Sequence, residues 1–184
     1  ALPNGDGTYA AITGDQLGVL LADYLLTVGP KDKRMVATTI VSSTLLSKIA
    51  AAHGVRFVET LTGFKWLGRA ADPDGHLAFG YEEALGYCCD PAHVKDKDGV
   101  SALLLVCEMA AEAKAKGRDL VDILSEIARQ HGLHATDQLS VRFEDLRQLP
   151  AIMRTLRATP PAILGGLAVE RVENGLVKDL LIGV

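Results

Sequence analysis

A chain of 184 residues, 48% hydrophobic and 23% charged, can bury the core of one ordinary globular domain, or of one domain and part of another. Its formal net charge of −4 argues against a nucleic-acid partner, because phosphate binding needs a basic face. No apolar run reaches the ~18 residues of a spanning helix, and the start, Ala1-Leu2-Pro3-Asn4-Gly5-Asp6, has neither the basic nor the apolar region of a signal peptide.

The first predicted element is a hairpin arm whose turn is Asn4-Gly5-Asp6-Gly7, followed by an apolar stretch ending at Ile12. Only a stub precedes that turn and no initiator Met is present, so the partner strand is expected to have been cut away with an excised segment. Thr13 and Gln16 are spaced as a capping box, and Leu17, Leu20, Leu21, Tyr24 and Leu25 mark one face of a helix that Gly29-Pro30 stops. Met35 to Val41 is a continuous apolar, β-branched run, as in a strand buried on both faces. Ser42 or Ser43 then caps a helix carrying Leu45, Leu46 and Ile49 that ends at Gly54, with His53 suited to its C-terminal dipole. Val55 to Thr60 reads as the next strand, and strand–helix–strand order over so short a span implies a crossover and a largely parallel sheet.

Leu77 to Tyr81 is a short strand running directly into Glu82-Glu83. Two helices follow. One spans about Val100 to Lys116 with Val100, Leu103, Leu104 and Cys107 inward and Gly117 at its end; the other spans about Leu120 to His131 with Leu120, Ile123, Leu124 and Ile127 inward and Gly132 at its end. Leu139, Val141 and Phe143 then alternate as a half-buried strand, and a helix from about Pro150 carries Ile152, Met153 and Leu156 until Pro160-Pro161 breaks it. Ala168 to Glu173 and Leu176 to Ile182 flank Asn174-Gly175, a hairpin signal. The expected architecture is α/β: a three-layer α/β/α domain at 1–134 with a mixed, largely parallel sheet, then an incomplete, smaller α+β segment at 135–184. Cys88, Cys89 and Cys107 have no metal-ligand spacing and are expected to be reduced, buried thiols of a cytoplasmic protein.

Three loops carry residues suited to chemistry. Tyr81-Glu82-Glu83-Ala84-Leu85-Gly86 sets two carboxylates at a strand end, where ligands of parallel sheets bind, and one carboxylate can accept bonds from neighbouring sugar hydroxyls. Thr62-Gly63-Phe64-Lys65-Trp66 offers a lysine to a phosphate, with Trp66 expected as a core or loop anchor. Lys95-Asp96-Lys97-Asp98-Gly99 precedes a helix, whose backbone donors also favour anions. Solvated charge accounts for each of these loops alone. His131 and His134 lack a third ligand, and Asp72-Pro73-Asp74-Gly75-His76 reads as a surface turn. No glycine-rich phosphate loop follows a predicted strand, which disfavours a nucleotide-binding domain.

Taken in order, Thr62-Gly63-Phe64-Lys65-Trp66, Phe79-Gly80-Tyr81-Glu82-Glu83-Ala84-Leu85-Gly86-Tyr87 and Asp96-Lys97-Asp98-Gly99-Val100 resemble the third domain of the phosphohexomutases, the superfamily of phosphoglucomutase and phosphomannomutase. The likeness extends over nearly the whole chain, including Thr13-Gly14-Asp15-Gln16. It implies a cytoplasmic four-domain isomerase that moves a phosphoryl group between the 1- and 6-positions of a hexose through a bisphosphate intermediate. It further implies Mg²⁺ and glucose 1,6-bisphosphate as cofactors of the parent enzyme, with none bound by this chain. The implied partners are a phosphorylated sugar and the parent's remaining domains, with no nucleic acid and no membrane.

By position, the resemblance makes Glu82 the sugar-contacting glutamate and Lys65 the lysine facing substrate, with Gly63 and Ala84 in the substrate loops and Glu83 and Lys97 in support. Most members have Ser where this chain has Ala84, and the Ala pattern resembles the branch holding phosphopentomutases and glucose-bisphosphate synthases. No Thr-Ala-Ser-His-Asn-Pro-like serine loop, Asp-x-Asp-x-Asp-Arg metal loop or Arg-x-Ser-Gly-Thr-x-Pro phosphate clamp occurs, so no catalytic residue is assigned and the chain alone is expected to be inactive. A non-catalytic sugar-phosphate-binding or interaction module is the alternative.

Overall fold

The structure, a computed structural model, describes residues 2–3, 6–30, 34–70, 76–137, 142–174 and 180–183. The chain divides into two compact units, Ala1–Thr136 and Asp137–Val184.

The first unit opens with β1 (Leu2–Pro3) and β2 (Tyr9–Ala10), paired antiparallel with Leu2 opposite Ala10. The stub before the turn is therefore itself the partner strand, contrary to the expectation that the partner was missing; Asn4-Gly5 lie outside the described residues. Helix α1 (Gly14–Val28) begins with the expected capping box: Thr13 Oγ1 accepts from the Gln16 N–H, and Gln16 Oε1 accepts from the Thr13 N–H. No basic residue stands in its last turn. Instead the buried Arg34 guanidinium, from the next strand, donates to the Leu25 and Leu26 carbonyls and places a cation at the negative end of the dipole.

Strand β3 (Arg34–Thr39) is buried along its whole length, as its apolar run requires. Helix α2 (Leu45–Ala52) follows, then β4 (Arg56–Thr60), α3 (Phe64–Leu67), β5 (His76–Glu82), β6 (Gly86–Cys88), α4 (Gly99–Ala115) and α5 (Leu120–His131). The sheet order is β4-β3-β5-β6: β3 pairs parallel with β4 and β5, and β6 pairs antiparallel with β5. The chain passes from β3 to β4 on one side and returns to β5 on the other, so the ends of β3 and β5 form a switch point, the usual ligand crevice of such sheets.

The two faces are unequal. Leu20, Leu21 and Leu26 of α1, Leu46 and Ile49 of α2, Met109 of α4 and Ile127 of α5 pack with Val36, Phe79 and Tyr81 on one face. Met35, Ala37, Leu77 and Cys88 face Phe64 and Leu67 of α3 on the other. A register shift lets Met35 pair with Leu77 but Val36 with Phe79, so Ala78 is an extra residue in β5. That bulge sends Leu77 to the α3 face and Phe79 and Tyr81 to the helical face, a change of side that the strand's period alone does not disclose.

Helix α4 reverses the expected face. Val100, Leu103 and Leu104 are 79%, 64% and 68% exposed, and Cys107 is exposed, whereas Ala102, Met109 and Ala113 are buried. Two alanines and Met109 face inward here, where α4 packs on both α1 and α5. Cys88 and Cys89 are buried as expected, and burial raises their thiols to about 11 and about 12.

The second unit contains a 3-10 turn (Leu146–Gln148), α6 (Leu149–Ala158), β7 (Ile163–Leu164), β8 (Leu167–Ala168), β9 (Arg171–Asn174) and β10 (Leu180–Gly183). Gly165 and Gly166, both at positive φ, close the β7–β8 hairpin, and β8 and β9 divide the single strand expected from 168 to 173. β9 and β10 pair antiparallel, as the hairpin expected around Asn174 requires, with Asn174 opposite Leu180. Leu139, Val141, Gly175 and the Asp72-Pro73-Asp74-Gly75 turn lie outside the described residues, and Phe143 is in no strand.

If α4 is oriented this way, Met109→Ala lowers unfolding free energy by ~2–5 kcal/mol in a urea titration, whereas Leu103→Ala changes it by no more than ~0.5 kcal/mol. Near pH 8 iodoacetamide modifies Cys107 and leaves Cys88 and Cys89 unmodified until the chain unfolds, as read by peptide mass.

Candidate functional site

The carboxyl ends of β3, β4 and β5 bring three loops to one edge of the sheet. Glu82 pairs with Gly86 across the β5–β6 ladder, which leaves Glu83-Ala84-Leu85 as the hairpin loop. Three-residue hairpins end in a left-handed residue, and here that residue is Leu85, at φ 62° and 68% exposed.

The two adjacent glutamates meet different partners, Glu82 as the last residue of β5 and Glu83 as the first residue of the hairpin loop. Glu82 Oε1 accepts a 2.7 Å hydrogen bond from the Gly63 N–H, fastening the loop after β5 to the loop after β4. Glu83 turns toward β3: its Oε2 accepts from Thr39 Oγ1 at 3.2 Å and Ser42 Oγ at 2.9 Å, while its N–H donates to Ser42 Oγ. Ser42 is thereby committed to Glu83, and neither it nor Ser43 is the N-cap of α2: that position is Thr44, whose side chain makes no capping bond, while Ser43 Oγ accepts from the Leu45 N–H.

Beneath the loop, Asp15 in the first turn of α1 is 7% exposed. Its Oδ1 accepts from Tyr81 Oη at 2.9 Å and the Ser43 N–H at 2.8 Å, and its Oδ2 accepts from Thr136 Oγ1 at 2.7 Å. Burial, then the neighbouring Asp15, pushes the Tyr81 phenol far above its ordinary value, and burial pushes Tyr87 up to about 12. Both phenols are therefore protonated donors across neutral pH, Tyr81 to Asp15 and Tyr87 to the Gly14 carbonyl. A Cβ on Gly14 would stand 1.8 Å from the Glu83 carbonyl oxygen, and one on Gly18 would stand 2.6 Å from the Tyr81 ring. These contacts admit glycine alone.

Lys97 reaches the same edge. A Cβ on Gly86 would lie 2.6 Å from Lys97 Cδ and 3.4 Å from Glu82 Oε2, so Gly86 leaves room for both side chains. Lys97 Nζ lies 4.7 Å from the centre of the Phe64 ring and pairs with Asp96 Oδ1 at 2.9 Å. Asp98 caps α4 by accepting from the Val100 and Ser101 N–H groups, and its own N–H donates to the Tyr87 carbonyl. The structure thus gathers Gly63, Glu82 and Lys97 at one place. Exposed Lys65 stands two residues beyond Gly63, its Nζ 5.3 Å from the centre of the Trp66 ring. Trp66 is 41% exposed, so it is no core anchor. Exposed Ala84 lies in the hairpin loop without a hydroxyl to offer.

Sequence reasoning singled out the glutamates and Gly63, whose N–H holds Glu82, but not the groups that hold Glu83 and the root of the loop. Asp15, Ser42, Ser43 and Thr136 are an acid and three hydroxyl residues from distant parts of the chain. The one local signal was Asp15 beside Gly14 at a capped helix start. Among the described residues, no three His, Cys, Asp or Glu side chains converge to hold a metal ion. His134 Nδ1 instead lies 2.9 Å from Thr44 Oγ1. Among the described residues no helix is long and apolar enough to cross a membrane.

Comparison with known proteins places the fold in a family. A family model described as phosphoglucomutase/phosphomannomutase, alpha/beta/alpha domain III, matches residues 13–130. A Haemophilus influenzae relative named as a phosphomannomutase is 34% identical over 179 residues, 97% of this chain and 36% of its own length. A Staphylococcus aureus phosphoglucomutase is 33% identical over 184 residues, 96% of this chain and 33% of its own length. Among solved structures, one named as a Thermus thermophilus phosphomannomutase aligns at TM-score 0.62 and 27% identity, over 88% of this chain and 31% of that one. The open form of the Paramecium phosphoglucomutase parafusin aligns at TM-score 0.60 and 22% identity, over 94% of this chain and 31% of its own, a likeness of fold alone. The chain spans about a third of the length of the curated relatives it matches.

The close approach at Gly14 makes Gly14→Ala a direct test of the site's construction. It is expected to cost ~1–3 kcal/mol or more in chemical unfolding and to move the amide resonances of Glu83 and Ala84 in the ¹H–¹⁵N spectrum. Unmoved loop resonances would refute the contact.

Proposed function

The chain belongs to the phosphoglucomutase/phosphomannomutase family through its α/β/α domain III, and from that premise we propose that residues 1–134 form the sugar-binding domain of a hexose mutase. The parent reaction is transfer of a phosphoryl group between the 1- and 6-positions through a bisphosphate intermediate. Residues 135–184 are the first part of the following domain.

The observation that carries this reading is the setting of Glu82. Its carboxylate stands at the switch-point edge, half-buried, with Oε1 committed to the Gly63 N–H and Lys97 packed alongside. Oε2 is the oxygen for vicinal sugar hydroxyls, since an ionised carboxylate accepts at several lone pairs and tolerates a sugar presented in two orientations. Lys65 supplies a point charge for the phosphate, and Gly63 and Ala84 let the ring approach the backbone. Glu83 and Lys97 support the loop without touching the sugar.

The domain's contribution to phosphoryl transfer is positioning, which lowers the entropic part of the barrier. The nucleophile and the charge on the transferring group come from elsewhere in the parent, so this chain alone turns over no sugar phosphate. The exposed apolar row on α4, Val100, Leu103, Leu104 and Cys107, is the surface offered to the parent's other domains. Such a row is unusual on a lone domain.

An amide titration of the chain with glucose 1-phosphate tests the reading. A single domain without the rest of the cleft binds weakly, with Kd on the order of 1 mM. Shifts are expected at Gly63, Lys65 and Glu82–Gly86, and Glu82→Ala abolishes them. Shifts that persist in Glu82→Ala, or that fall elsewhere on the chain, would sink the assignment.

A further inference from the structure

After α5 the chain runs through residues 132–136, and two hydrogen bonds hold this exit segment against the first unit. His134 Nδ1 meets Thr44 Oγ1 at 2.9 Å, and Thr136 Oγ1 donates to Asp15 Oδ2 at 2.7 Å. Thr136 is the last residue of that unit. The other oxygen of the same carboxylate takes the Tyr81 hydroxyl and the Ser43 N–H.

Tyr81 immediately precedes Glu82. Its hydroxyl is held by Asp15, its carbonyl by Thr38 Oγ1 at 2.9 Å, and its ring lies where Gly18 could carry no Cβ. Ser43 N–H likewise sits one residue after Ser42, the hydroxyl that bonds the Glu83 carboxylate and N–H. Both routes into the ligand loop therefore leave from Asp15 Oδ1, and the exit segment is tied to Asp15 Oδ2.

A carboxylate moves as one rigid plane, so a group that fixes Oδ2 also fixes the direction in which Oδ1 accepts. If the Thr136 hydroxyl is withdrawn, a buried oxygen loses its donor and the carboxylate is free to turn toward another, which weakens the bonds at Oδ1. From this geometry we propose that Asp15 is a positioning residue for the loop Glu82–Gly86 and that the Thr136 hydroxyl sets it. A displacement of the chain at the exit of the first unit is then felt at the glutamate loop. That the loop's looseness alters sugar affinity rests on the function proposed above; the coupling itself does not.

Hydrogen exchange of this chain, with no sugar present, separates the two. Thr136→Val removes the hydroxyl at nearly constant volume, and Thr136→Ser retains it. In Thr136→Val the amides of Glu83 and Gly86 are expected to exchange about three- to tenfold faster, the factor one modest hydrogen bond carries. Val36 in the central strand keeps its wild-type rate, and Thr136→Ser behaves as wild type. Unchanged loop amides, an equal rise at Val36, or Thr136→Ser exchanging as fast as Thr136→Val would each overturn the proposal. Titrating the same variants with glucose 1-phosphate then reads the consequence: Kd rises in Thr136→Val by the factor seen in exchange. A wild-type chain that fails to bind at all removes the sugar reading and leaves the exchange result standing.

Discussion

The Asp15 carboxylate is buried in the first turn of α1 and accepts hydrogen bonds from Tyr81, Ser43 and Thr136, three residues on three different segments. A carboxylate in such a place carries a desolvation penalty of several kcal/mol unless its oxygens are matched by donors. The donors must therefore come to it, and each brings its segment along. Tyr81 delivers the end of β5, Ser43 the turn between β3 and α2, and Thr136 the chain leaving α5. The favourable start of a helix dipole adds to the preference for an acid at this position.

Close packing makes the arrangement rigid. Gly14 lets the Glu83 carbonyl press against the helix start, Gly18 lets the Tyr81 ring lie on α1, and Gly86 clears space for Lys97 and Glu82 together. In each case the missing Cβ is what permits the glycine backbone to meet its neighbour, another backbone at Gly14, a ring at Gly18 and two side chains at Gly86. Loops in general are the mobile parts of a domain. This one is held at its root by Thr38, on one flank by Gly63 and on the other by Ser42. Only its tip, Ala84-Leu85, is left exposed. Leu85 adopts the left-handed region there although it bears a side chain, a conformation that costs ~1–2 kcal/mol relative to glycine.

Much of this was legible in the order of residues, and what was hidden had physical reasons. Thr13 with Gln16 announced α1 because a capping box is a local motif whose atoms all lie within one turn. The apolar, β-branched run of β3 announced a central parallel strand because burial on both faces admits a polar residue only where it finds a partner, as Arg34, Thr38 and Thr39 do. Helix α4 misled because apolar residues surround it: Val100, Leu103, Leu104 and Leu105 compete with Ala102, Met109 and Ala113, and period alone cannot choose between them. Contact with neighbouring helices selected the latter three, an outcome that depends on partners distant in the chain. The bulge at Ala78 and the Asp15–Thr136 bond, across 121 positions, are likewise matters of tertiary register. The glutamates were visible as a pair, and only the resemblance separated Glu82 from Glu83; residue type alone could not, because the difference lies in their partners.

That distinction between Glu82 and Glu83 follows from where the strand ends. Glu82 closes the β5–β6 ladder, whereas Glu83 opens the hairpin loop and turns toward β3. On the helical side Glu83 meets Thr39 and Ser42, whose hydroxyls use the Oε2 atom and close the crevice between β3 and β5. On the α3 side Glu82 meets one backbone N–H and the stem of Lys97, a setting that orients the carboxylate without exhausting its acceptors. The switch point of the sheet is thus filled by one acid so that its neighbour can be presented just beyond it. A substitution that exchanged their environments would have to invert the register of β5, which the Glu82–Gly86 pairing and the Ala78 bulge together prevent. The placement of an acid at this edge is consequently a property of the strand's register as much as of the acidic residue itself.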